Sequence, residues 1–497
     1  MARNLSRRFV LAGLLGSAGS MAMGEAPATS LRPQLRPKIR ARRPKASAIE
    51  EIISSAKLGG QVSCSVVDVE TGLVLEGHDA KLAQPPASVT KAVTALYALD
   101  VLGAGYRFET QLVALGPVEA GVIKGDLVLA GSGDPVLDTD ALARMATNLK
   151  EAGVHAVEGD LRIWDAGIPY KAMIDPEQPI EVGYNPAVSG LNLNFNRVHF
   201  EWKRSGNGYA ITMDARSGKY RPDVLSARMS LSDRKGPIYA YSDGGTYDSW
   251  SVARRALGNG GARWIPMRKP RIYSAEVFSH FARSHGIVLK MGAPLEQPPD
   301  GTVLVRERSE QLLEILRDML KYSTNLTAEM VGMVATAKRV GHPLDLQSSA
   351  REMSLWAEEE LGMEGTDLLD HSGLNPNSHL TAQGLARALA HVKEETQLVP
   401  ILKKYTMRDA NGAKVASHPI KVVAKTGTLY FVSSLAGYMT APDGREMSFA
   451  IFTANEEKRS QFDLSVGTRP PGASSWNGRS KRLQQKLINR WGAVYGS

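Results

Sequence analysis

The chain has 497 residues, enough for two or three domains, and its 43% hydrophobic and 22% charged residues are ordinary for a globular protein. Its net charge of +9 is concentrated at the start, because residues 1–45 hold ten Arg or Lys and one acidic residue, which leaves residues 46–497 balanced at 50 basic against 50 acidic residues. This balance excludes the class of nucleic-acid binders that read a basic face on the folded body.

Residues 1–28 have the pattern of an export signal. A basic start is followed by a short apolar core over residues 9–23 and then by small residues, and cleavage after Gly24 or Ala28 would fit. The core is too short and too rich in Gly and Ser for a good membrane span. We expect a periplasmic or extracytoplasmic protein after cleavage. The pair Arg7–Arg8 leaves the Sec and twin-arginine routes both open, and an amphipathic helix kept in the mature protein is the alternative.

Residues 29–47 form a basic arm that contains several prolines. Like charges and proline predict an extended, solvated tether. The arm could make a peripheral contact with anionic lipid or another polyanion of the cell envelope, or it could serve only as a spacer.

Residues 48–103 are predicted to form the first part of an α/β domain. The alternating stretch "QVSCSVVDVETGLVLEGHD" predicts two strands that meet at a turn over residues 70–72. "PPASVTKAVTAL" (residues 85–96) then opens a helix that ends near Gly103. Cys64 is the only cysteine, so no disulfide within the chain is available, and nothing nearby would lower its thiol pKa. We interpret Cys64 as a buried strand residue and not as a nucleophile.

Residues 104–304 are predicted to be an inserted β-rich region of one or two small domains. Short strands and turns dominate, and the tripeptide Gly-Asp-Leu at residues 125–127 recurs at residues 159–161, each time opening a strand. Helices are predicted near Asp140–Ala152 and Tyr273–His285.

Residues 305–497 are predicted to complete the first domain. Two helices flank the sequence "YSTN", two more follow at residues 349–363 and 381–395, and three strands then appear, the last two joined by a hairpin turn at residues 442–444. Strands at both ends of the chain predict a single sheet flanked by helices. The basic helix "SKRLQQKLINRW" is expected to pack on that sheet, and a membrane-facing role is the alternative.

Three short motifs along the chain contain residues that can take part in catalysis. Ser88 and Lys91 lie three residues apart at the start of a helix, Ser323 and Asn325 lie in the break between two helices, and Lys425-Thr426-Gly427-Thr428 lies on a strand. Each alone has a structural alternative: Ser88 or Ser323 could be a helix N-cap, and Lys425 an edge-strand lysine beside a turn glycine. Ser-x-x-Lys also occurs at Ser54 and Ser232, so one motif alone does not indicate a catalytic site. The catalytic interpretation depends on all three motifs occurring together and in this order.

The residue types suit acyl transfer to a serine. Residues i and i+3 of a helix lie on one side, so the Lys91 amine can take the Ser88 proton if burial and nearby positive charge, such as that of Lys425, lower its pKa. Ser323 can relay a proton to the leaving amine, and Asn325 can orient Lys91 and a substrate amide. Backbone N–H groups at the helix start near Ser88 point at the developing oxyanion.

The set Ser-x-x-Lys, Ser-x-Asn and Lys-Thr-Gly resembles the signature of penicillin-binding proteins and serine β-lactamases. The gap between the first two motifs, together with "KGDLVLAGSGDPVL", "MLKYSTNLTAEM" and "DHSGLNPNSHLT", resembles more closely the D-alanyl-D-alanine carboxypeptidase/endopeptidase family of class C low-molecular-mass penicillin-binding proteins (peptidase family S13), over roughly residues 48–490. The implied fold is α/β, a transpeptidase-like domain with an antiparallel sheet flanked by helices and an inserted β-rich region.

The resemblance also implies site roles and partners. Ser88, Lys91, Ser323 and Asn325 are the implied catalytic residues, and the N–H of Thr428 is the implied second oxyanion donor. The implied substrate-binding residues are Lys425, Thr426, Gly427 and Thr428, of which Lys425, Thr426 and Thr428 hold the terminal carboxylate of the substrate. The implied substrates are peptidoglycan stem peptides that end in D-Ala-D-Ala or carry D-Ala cross-links, with β-lactams as covalent inhibitors. No cofactor or metal is expected, since the histidines lack metal-ligand spacing.

Two segments depart from the family pattern. Asn375–Pro376 stands where the family usually has a serine–arginine pair, and Glu181 is the only acid in residues 180–196, where a preference for a diaminopimelate side chain would need one. Carboxypeptidase and endopeptidase activity are both compatible with the motifs. A serine β-lactamase and a non-catalytic cell-wall or β-lactam binder remain as rivals; the long insertion opposes the first, and the complete Ser/Lys/Ser/Asn/Lys set opposes the second.

Overall fold

The computed structural model describes residues 47–409, 412–467 and 469–496. The predicted export signal (1–28) and nearly all of the basic arm (29–47) lie outside these residues. The helices are α1 (Ile49–Ser55), α2 (Thr90–Val101), α3 (Thr139–Glu151), α4 (Pro270–Ser284), α5 (Leu312–Tyr322), α6 (Asn325–Val340), α7 (Leu346–Leu361), α8 (Ala382–Val392), α9 (Leu398–Ile401), α10 (Glu456–Ser460) and α11 (Ala473–Tyr495).

Twenty strands are found in the described part of the chain. They are β1 (Gln61–Asp68), β2 (Val74–His78), β3 (Ala83–Gln84), β4 (Glu109–Ala114), β5 (Val118–Glu119), β6 (Val122–Ile123), β7 (Leu127–Gly131), β8 (Ala156–Val157), β9 (Leu161–Trp164), β10 (Arg197–Ser205), β11 (Gly208–Asp214), β12 (Ala227–Ser232), β13 (Tyr239–Asp243), β14 (Asp248–Ala253), β15 (Gly260–Pro266), β16 (Thr302–Arg308), β17 (Leu380–Thr381), β18 (Lys421–Leu429), β19 (Val432–Thr440) and β20 (Glu446–Ala454).

A five-stranded antiparallel sheet gathers strands from both ends of the described chain, in the order β18–β19–β20–β1–β2. β1 pairs with β2 so that Cys64 lies opposite His78, which confirms the first predicted strand pair. β19 and β20 pair with Thr440 opposite Glu446, which confirms the predicted hairpin. The predicted sheet flanked by helices is therefore confirmed.

Helices cover both faces of this sheet because successive side chains of a strand point to opposite faces. On one face Ala436 and Phe452 belong to the same core cluster as the apolar residues of α8 and α2. On the other face Leu435 and Ile451 pack with residues of α1 and α11. Burying a Leu or Ile side chain fully contributes roughly 1.5–3 kcal/mol, so this two-sided burial sets the strand register.

The C-terminal helix α11 packs on the sheet, as expected. It begins at Ala473, before the predicted start at Ser480, and its Leu487 and Trp491 are fully buried in the cluster shared with the sheet. None of the helices in the described part of the chain combines the length and the apolar character that a bilayer span requires.

Cys64 lies in β1 with no exposed surface. Burial raises the pKa of its thiol to about 12, so the nucleophilic thiolate is rare at neutral pH. The interpretation of Cys64 as a buried strand residue is confirmed.

The region between α2 and α5 contains four smaller sheets that share a core with α3 and α4. Their strand orders are β16–β4–β7–β9, β11–β10–β15, β12–β14–β13 and β5–β6–β8. The two Gly-Asp-Leu tripeptides meet where parallel strands begin, with Leu127 opposite Leu161. β16 returns to pair with β4 over residues 302–308, so the predicted boundary between residues 304 and 305 falls inside a strand.

Helix α2 lies at the centre of the helical layer, in contact with α5, α6 and α7. Residues 90–98 of α2 are all buried, as expected of a helix that is small or apolar around its whole circumference. Lys91 is the one charged residue in this buried run. A lysine with no exposed surface requires partners, and these define the site.

Candidate active site

Ser88 lies on a short 3₁₀ turn, Ala87–Val89, that leads into α2. The prediction that the helix starts at the serine is wrong by two residues, and so is the N-cap alternative, because the N-cap position is Val89 and the structure records no side-chain capping bond there. Ala87 has a φ of 46°, which turns the chain sharply before the serine. The Ser88 hydroxyl is therefore half-buried and available to Lys91.

Lys91 is the centre of the hydrogen-bond network. Its Nζ donates to Ser88 Oγ at 3.1 Å, to Asn325 Oδ1 at 2.8 Å and to the Ser372 carbonyl at 2.7 Å. Burial lowers the pKa of Lys91 to about 8, while the carboxyls of Asp370 and Glu329 act in the opposite direction. A neutral Lys91 amine is thus accessible near neutral pH and lies within reach of the Ser88 proton.

The second motif occupies the break between α5 and α6. Ser323 ends α5 in the left-handed conformation, with φ 61° and ψ 41°, and its Oγ accepts a hydrogen bond from Lys425 Nζ at 2.8 Å. The N-cap of α6 is Thr324, so the alternative of Ser323 as a helix N-cap is wrong. An uncommon conformation for a serine, held in place by its surroundings, is typical of functional positions.

Lys425 projects from β18 into the same network. β18 is an edge strand, as the alternative supposed, but the Lys425 side chain is only 2% exposed, and its Nζ also donates to the Thr426 carbonyl at 2.8 Å. Burial, then Lys91 and Lys403, lower the pKa of Lys425 well below its usual value. We expected the charge of Lys425 to lower the Lys91 pKa, yet the main cause for Lys91 is burial.

Gly427 permits β18 to approach the Ser88 turn. A Cβ atom at Gly427 would lie 2.7 Å from the Pro86 carbonyl oxygen and 3.1 Å from the Ser88 nitrogen, so a side chain there would push the strand away. This close approach brings the backbone of residues 427–428 beside the Ser88 N–H, the pair of positions expected to form the oxyanion hole.

Four contributors to the site were not predicted individually. Glu329 and Asp370 are fully or almost fully buried near Lys91, and Ser372 supplies a carbonyl. The backbone carbonyl of Tyr184, in the inserted region, accepts a hydrogen bond from Asn325 Nδ2 at 2.9 Å. Burial raises the pKa of Glu329 to about 8. The sequence could have predicted a place near the site for Glu329, because it follows Asn325 by four residues and so lies on the same face of the helix. Asp370 and Ser372 belong to the quoted "DHSGLNPN" stretch.

Ser88 opens into a cavity of about 570 Å³. Ser323, Asn325 and Thr428 line it, together with Gln178 and Tyr184 of the inserted region. Three basic side chains also contribute, and no carboxylate lines it in the described part of the chain. The basic residues are Arg459, Arg469 and Lys481.

Neither of the two departures from the family pattern contributes to the lining of this cavity. Glu181 is not among its lining residues, so the structure does not bring the one acid of residues 180–196 to the wall around Ser88. Pro376 lines a neighbouring cavity, and the backbone N–H of Asn375 donates to Asp370 at 2.7 Å. The segment that lacks the usual arginine therefore supports the site through the buried Asp370 carboxylate.

The decoy motifs do not assemble a comparable network. Ser54 is exposed and donates to the Glu51 carbonyl of its own helix, and Ser232 ends β12 in the inserted region. Neither serine lines the cavity that holds Ser88. Among the described residues there is also no cluster of His, Cys, Asp and Glu that could hold a metal ion.

The sequence of this chain matches a known peptidase family and is similar to characterised members of it. The profile of the D-Ala-D-Ala carboxypeptidase 3 (S13) family matches residues 45–466. A D-alanyl-D-alanine carboxypeptidase of Actinomadura sp. (strain R39) is 28% identical over 443 residues, which cover 81% of this chain and 79% of that protein. The D-alanyl-D-alanine carboxypeptidase DacB of Haemophilus influenzae is 21% identical over 426 residues, covering 81% and 87% of the two chains.

The fold also matches a solved structure. The crystal structure of penicillin binding protein 4 (dacB) from Haemophilus influenzae superposes with a TM-score of 0.71 at 18% identity, covering 89% of this chain and 99% of that chain. A second structure of the same protein, in complex with a β-lactam, superposes with a TM-score of 0.70. The likeness confirms the transpeptidase-like fold with its inserted region.

Proposed function

The chain belongs to the D-Ala-D-Ala carboxypeptidase 3 (S13) family of serine peptidases, and from this premise we propose that it cleaves peptidoglycan stem peptides through an acyl-enzyme on Ser88. The substrate is a terminal D-Ala-D-Ala, a D-Ala cross-link, or both. The observation that carries the proposal is the position of the fully buried Lys91, whose Nζ lies 3.1 Å from Oγ of the half-buried Ser88. The relatives named as D-alanyl-D-alanine carboxypeptidases support the same reaction.

In the acylation step the Ser88 hydroxyl attacks the carbonyl carbon of the scissile amide. A C–O bond forms, and the hydroxyl proton passes to the neutral amine of Lys91. The backbone N–H groups of Ser88 and Thr428 stabilise the oxyanion. The C–N bond then breaks, and the leaving amine takes the proton held by Lys91 through the Ser323 hydroxyl, which Lys425 holds in place at 2.8 Å, so that Lys91 is neutral again.

In the deacylation step water attacks the ester carbonyl. Lys91 accepts the proton of the water, the C–O bond to Ser88 breaks, and the serine oxygen regains a proton. A β-lactam acylates Ser88 in the same way, but its leaving nitrogen stays tethered to the acyl group and hinders the attacking water. The β-lactam complex of the Haemophilus influenzae protein supports covalent inhibitors of this class.

We expect acylation to accelerate with rising pH. Since Lys91 acts as a base only when neutral, the second-order rate constant for penicillin acylation should rise about tenfold per pH unit below pH 8 and level off above it. Stopped-flow acylation between about pH 6 and pH 9 measures this, with circular dichroism over the same range as a control for unfolding. A rate constant that is flat or falls across this range contradicts the role of Lys91.

Purified muropeptides test the substrate directly. Incubation followed by mass spectrometry should show loss of terminal D-Ala if the protein is a carboxypeptidase, and conversion of cross-linked dimers to monomers if it is an endopeptidase. Penicillin added in excess should block either conversion. If neither product forms while the protein remains folded, the proposed function is wrong.

A serine β-lactamase is the main rival function. The inserted region that supplies Tyr184 to the site, and the carboxypeptidase relatives, favour the peptidase. Nitrocefin separates the two: a peptidase should consume about one equivalent per protein molecule and then turn over slowly, whereas sustained fast hydrolysis would establish the rival.

Export of the protein is part of the proposal and rests on the pattern of residues 1–28. Cleavage after Gly24 or Ala28 would leave the basic arm at the new N-terminus, where it could meet anionic envelope polymers. N-terminal sequencing of protein from the native host tests this. Recovery of the chain with residues 1–28 intact from the cytoplasm would contradict it.

A further inference from the structure

An open cationic groove runs beside β18, next to the two threonines expected to hold a substrate carboxylate. It has a volume of about 870 Å³, and Thr426 and Thr428 form part of its wall. Six basic side chains line it, and no Asp or Glu does so in the part of the chain that the structure describes. The six are Lys403, Lys404, Arg408, Lys414, Lys481 and Arg482. We refer to this surface as the cationic groove.

Alternate side chains of β18 face the groove and the buried hydrogen bonds around Lys91 and Lys425. Thr426 lies opposite Leu435, which belongs to the core on the α11 side of the sheet, whereas Lys425 lies opposite Ala436 on the side of α2 and α8. Because cross-strand neighbours share a face, the hydroxyls of Thr426 and Thr428 point toward α11 and the groove. Lys425 points instead toward Ser323.

The free edge of β18 leads from Ser88 into the groove. The first half of this edge is already paired, because Ala424 N donates to the Lys403 carbonyl and Tyr405 N to the Val422 carbonyl, both at 2.9 Å. Within the described residues, no strand pairs with the second half, residues 425–428, on this side. An extended peptide that adds to this half would therefore point one end at Lys403 and the groove.

All six basic residues of the groove are exposed, and none of them takes part in an ion pair within the described parts of the chain. Lys403 is close enough to lower the pKa of Lys425. Since residues 46–497 carry balanced charge, this cluster is a local excess that a ligand with several carboxylates would neutralise.

We propose that the cationic groove binds the leaving-group half of a cross-linked substrate, a second stem peptide with several free carboxylates. The proposal rests on the proposed function. A single D-alanine leaving group brings one carboxylate, which Thr426 and Thr428 can hold alone. A second stem peptide brings its own C-terminus and acidic residues, which extend along β18 to the six cations. The groove thus makes the protein prefer cross-linked peptides over monomeric ones.

The test removes three charges that lie outside the catalytic cavity, in the variant Lys404→Gln/Lys414→Gln/Arg482→Gln. At low salt, kcat/KM for a cross-linked muropeptide dimer should fall about tenfold, mainly through KM, and that for a monomeric pentapeptide by less than about twofold. The difference should shrink at about 0.5 M NaCl, where charges are screened. The matched control Lys150→Gln/Lys203→Gln/Arg255→Gln removes three exposed charges from the inserted region and should leave both values unchanged.

Penicillin acylation separates the two possible failures. The groove variant should react with penicillin within about twofold of the parent rate, because Ser88 and Lys91 are untouched. Equal losses for dimer and monomer, no loss for the dimer, or a parent protein that cleaves only monomers would each overturn the groove proposal alone. A parent protein that neither reacts with penicillin nor cleaves either peptide would overturn the proposed function itself.

Discussion

Replacing Ser88 with alanine should abolish covalent labelling by a fluorescent penicillin and lower kcat/KM for D-Ala release by at least about 10⁴-fold. The alanine removes the oxygen that forms the acyl ester, and no other hydroxyl accepts a hydrogen bond from Lys91 in the described network. Because Ser88 is half-buried and makes no capping bond, the melting temperature should change by no more than a few degrees.

The chain provides matched controls for this variant. Ser54→Ala and Ser232→Ala change the serines of the two other Ser-x-x-Lys sequences and should leave labelling and turnover within about twofold of the parent. Gel fluorescence and peptide mass mapping of the labelled protein measure both effects. Labelling that survives in Ser88→Ala, or that maps to Ser54 or Ser232, would refute the assignment of the nucleophile.

The second large effect is expected for Lys91→Met, which keeps the length of the side chain but removes the base. Acylation by penicillin should slow by about 10²–10⁴-fold, the usual contribution of a general base. The remaining rate should lose the rise toward pH 8, because the titrating amine is gone. Stopped-flow acylation across the same pH range measures both changes.

Stability provides the control for Lys91→Met. The variant leaves Asn325 Oδ1 and the Ser372 carbonyl without their donor, which destabilises, but it also removes a buried amine whose desolvation is costly. We expect a folded protein with a melting temperature within several degrees of the parent. Lys57→Met, in the decoy sequence that begins at Ser54, should change neither rate nor stability. An acylation rate within tenfold of the parent would exclude Lys91 as the base.

Much of the fold was predictable because its signals are local. The alternation in β1, the strand-like runs of β19 and β20 and the hairpin turn at residues 442–444 predicted the sheet. The helical period around "YSTN" predicted the break between α5 and α6, which the structure places at residues 323–324. The start of α2 was misplaced because Ser88 and Val89 run directly into the helical pattern, and that pattern does not distinguish a 3₁₀ turn from an α-helix.

By itself, the sequence determined the three motifs, their order and the elements on which they lie, because each spans only a few residues. Only the tertiary structure decided what surrounds them. The Lys91 pKa of about 8 depends on burial and on Glu329 and Asp370, which lie far away in the chain. The charge balance of residues 46–497 likewise concealed the cationic groove, because a net charge says nothing about where the charges lie. Folding brings Lys403, Lys404, Arg408 and Lys414 beside α11.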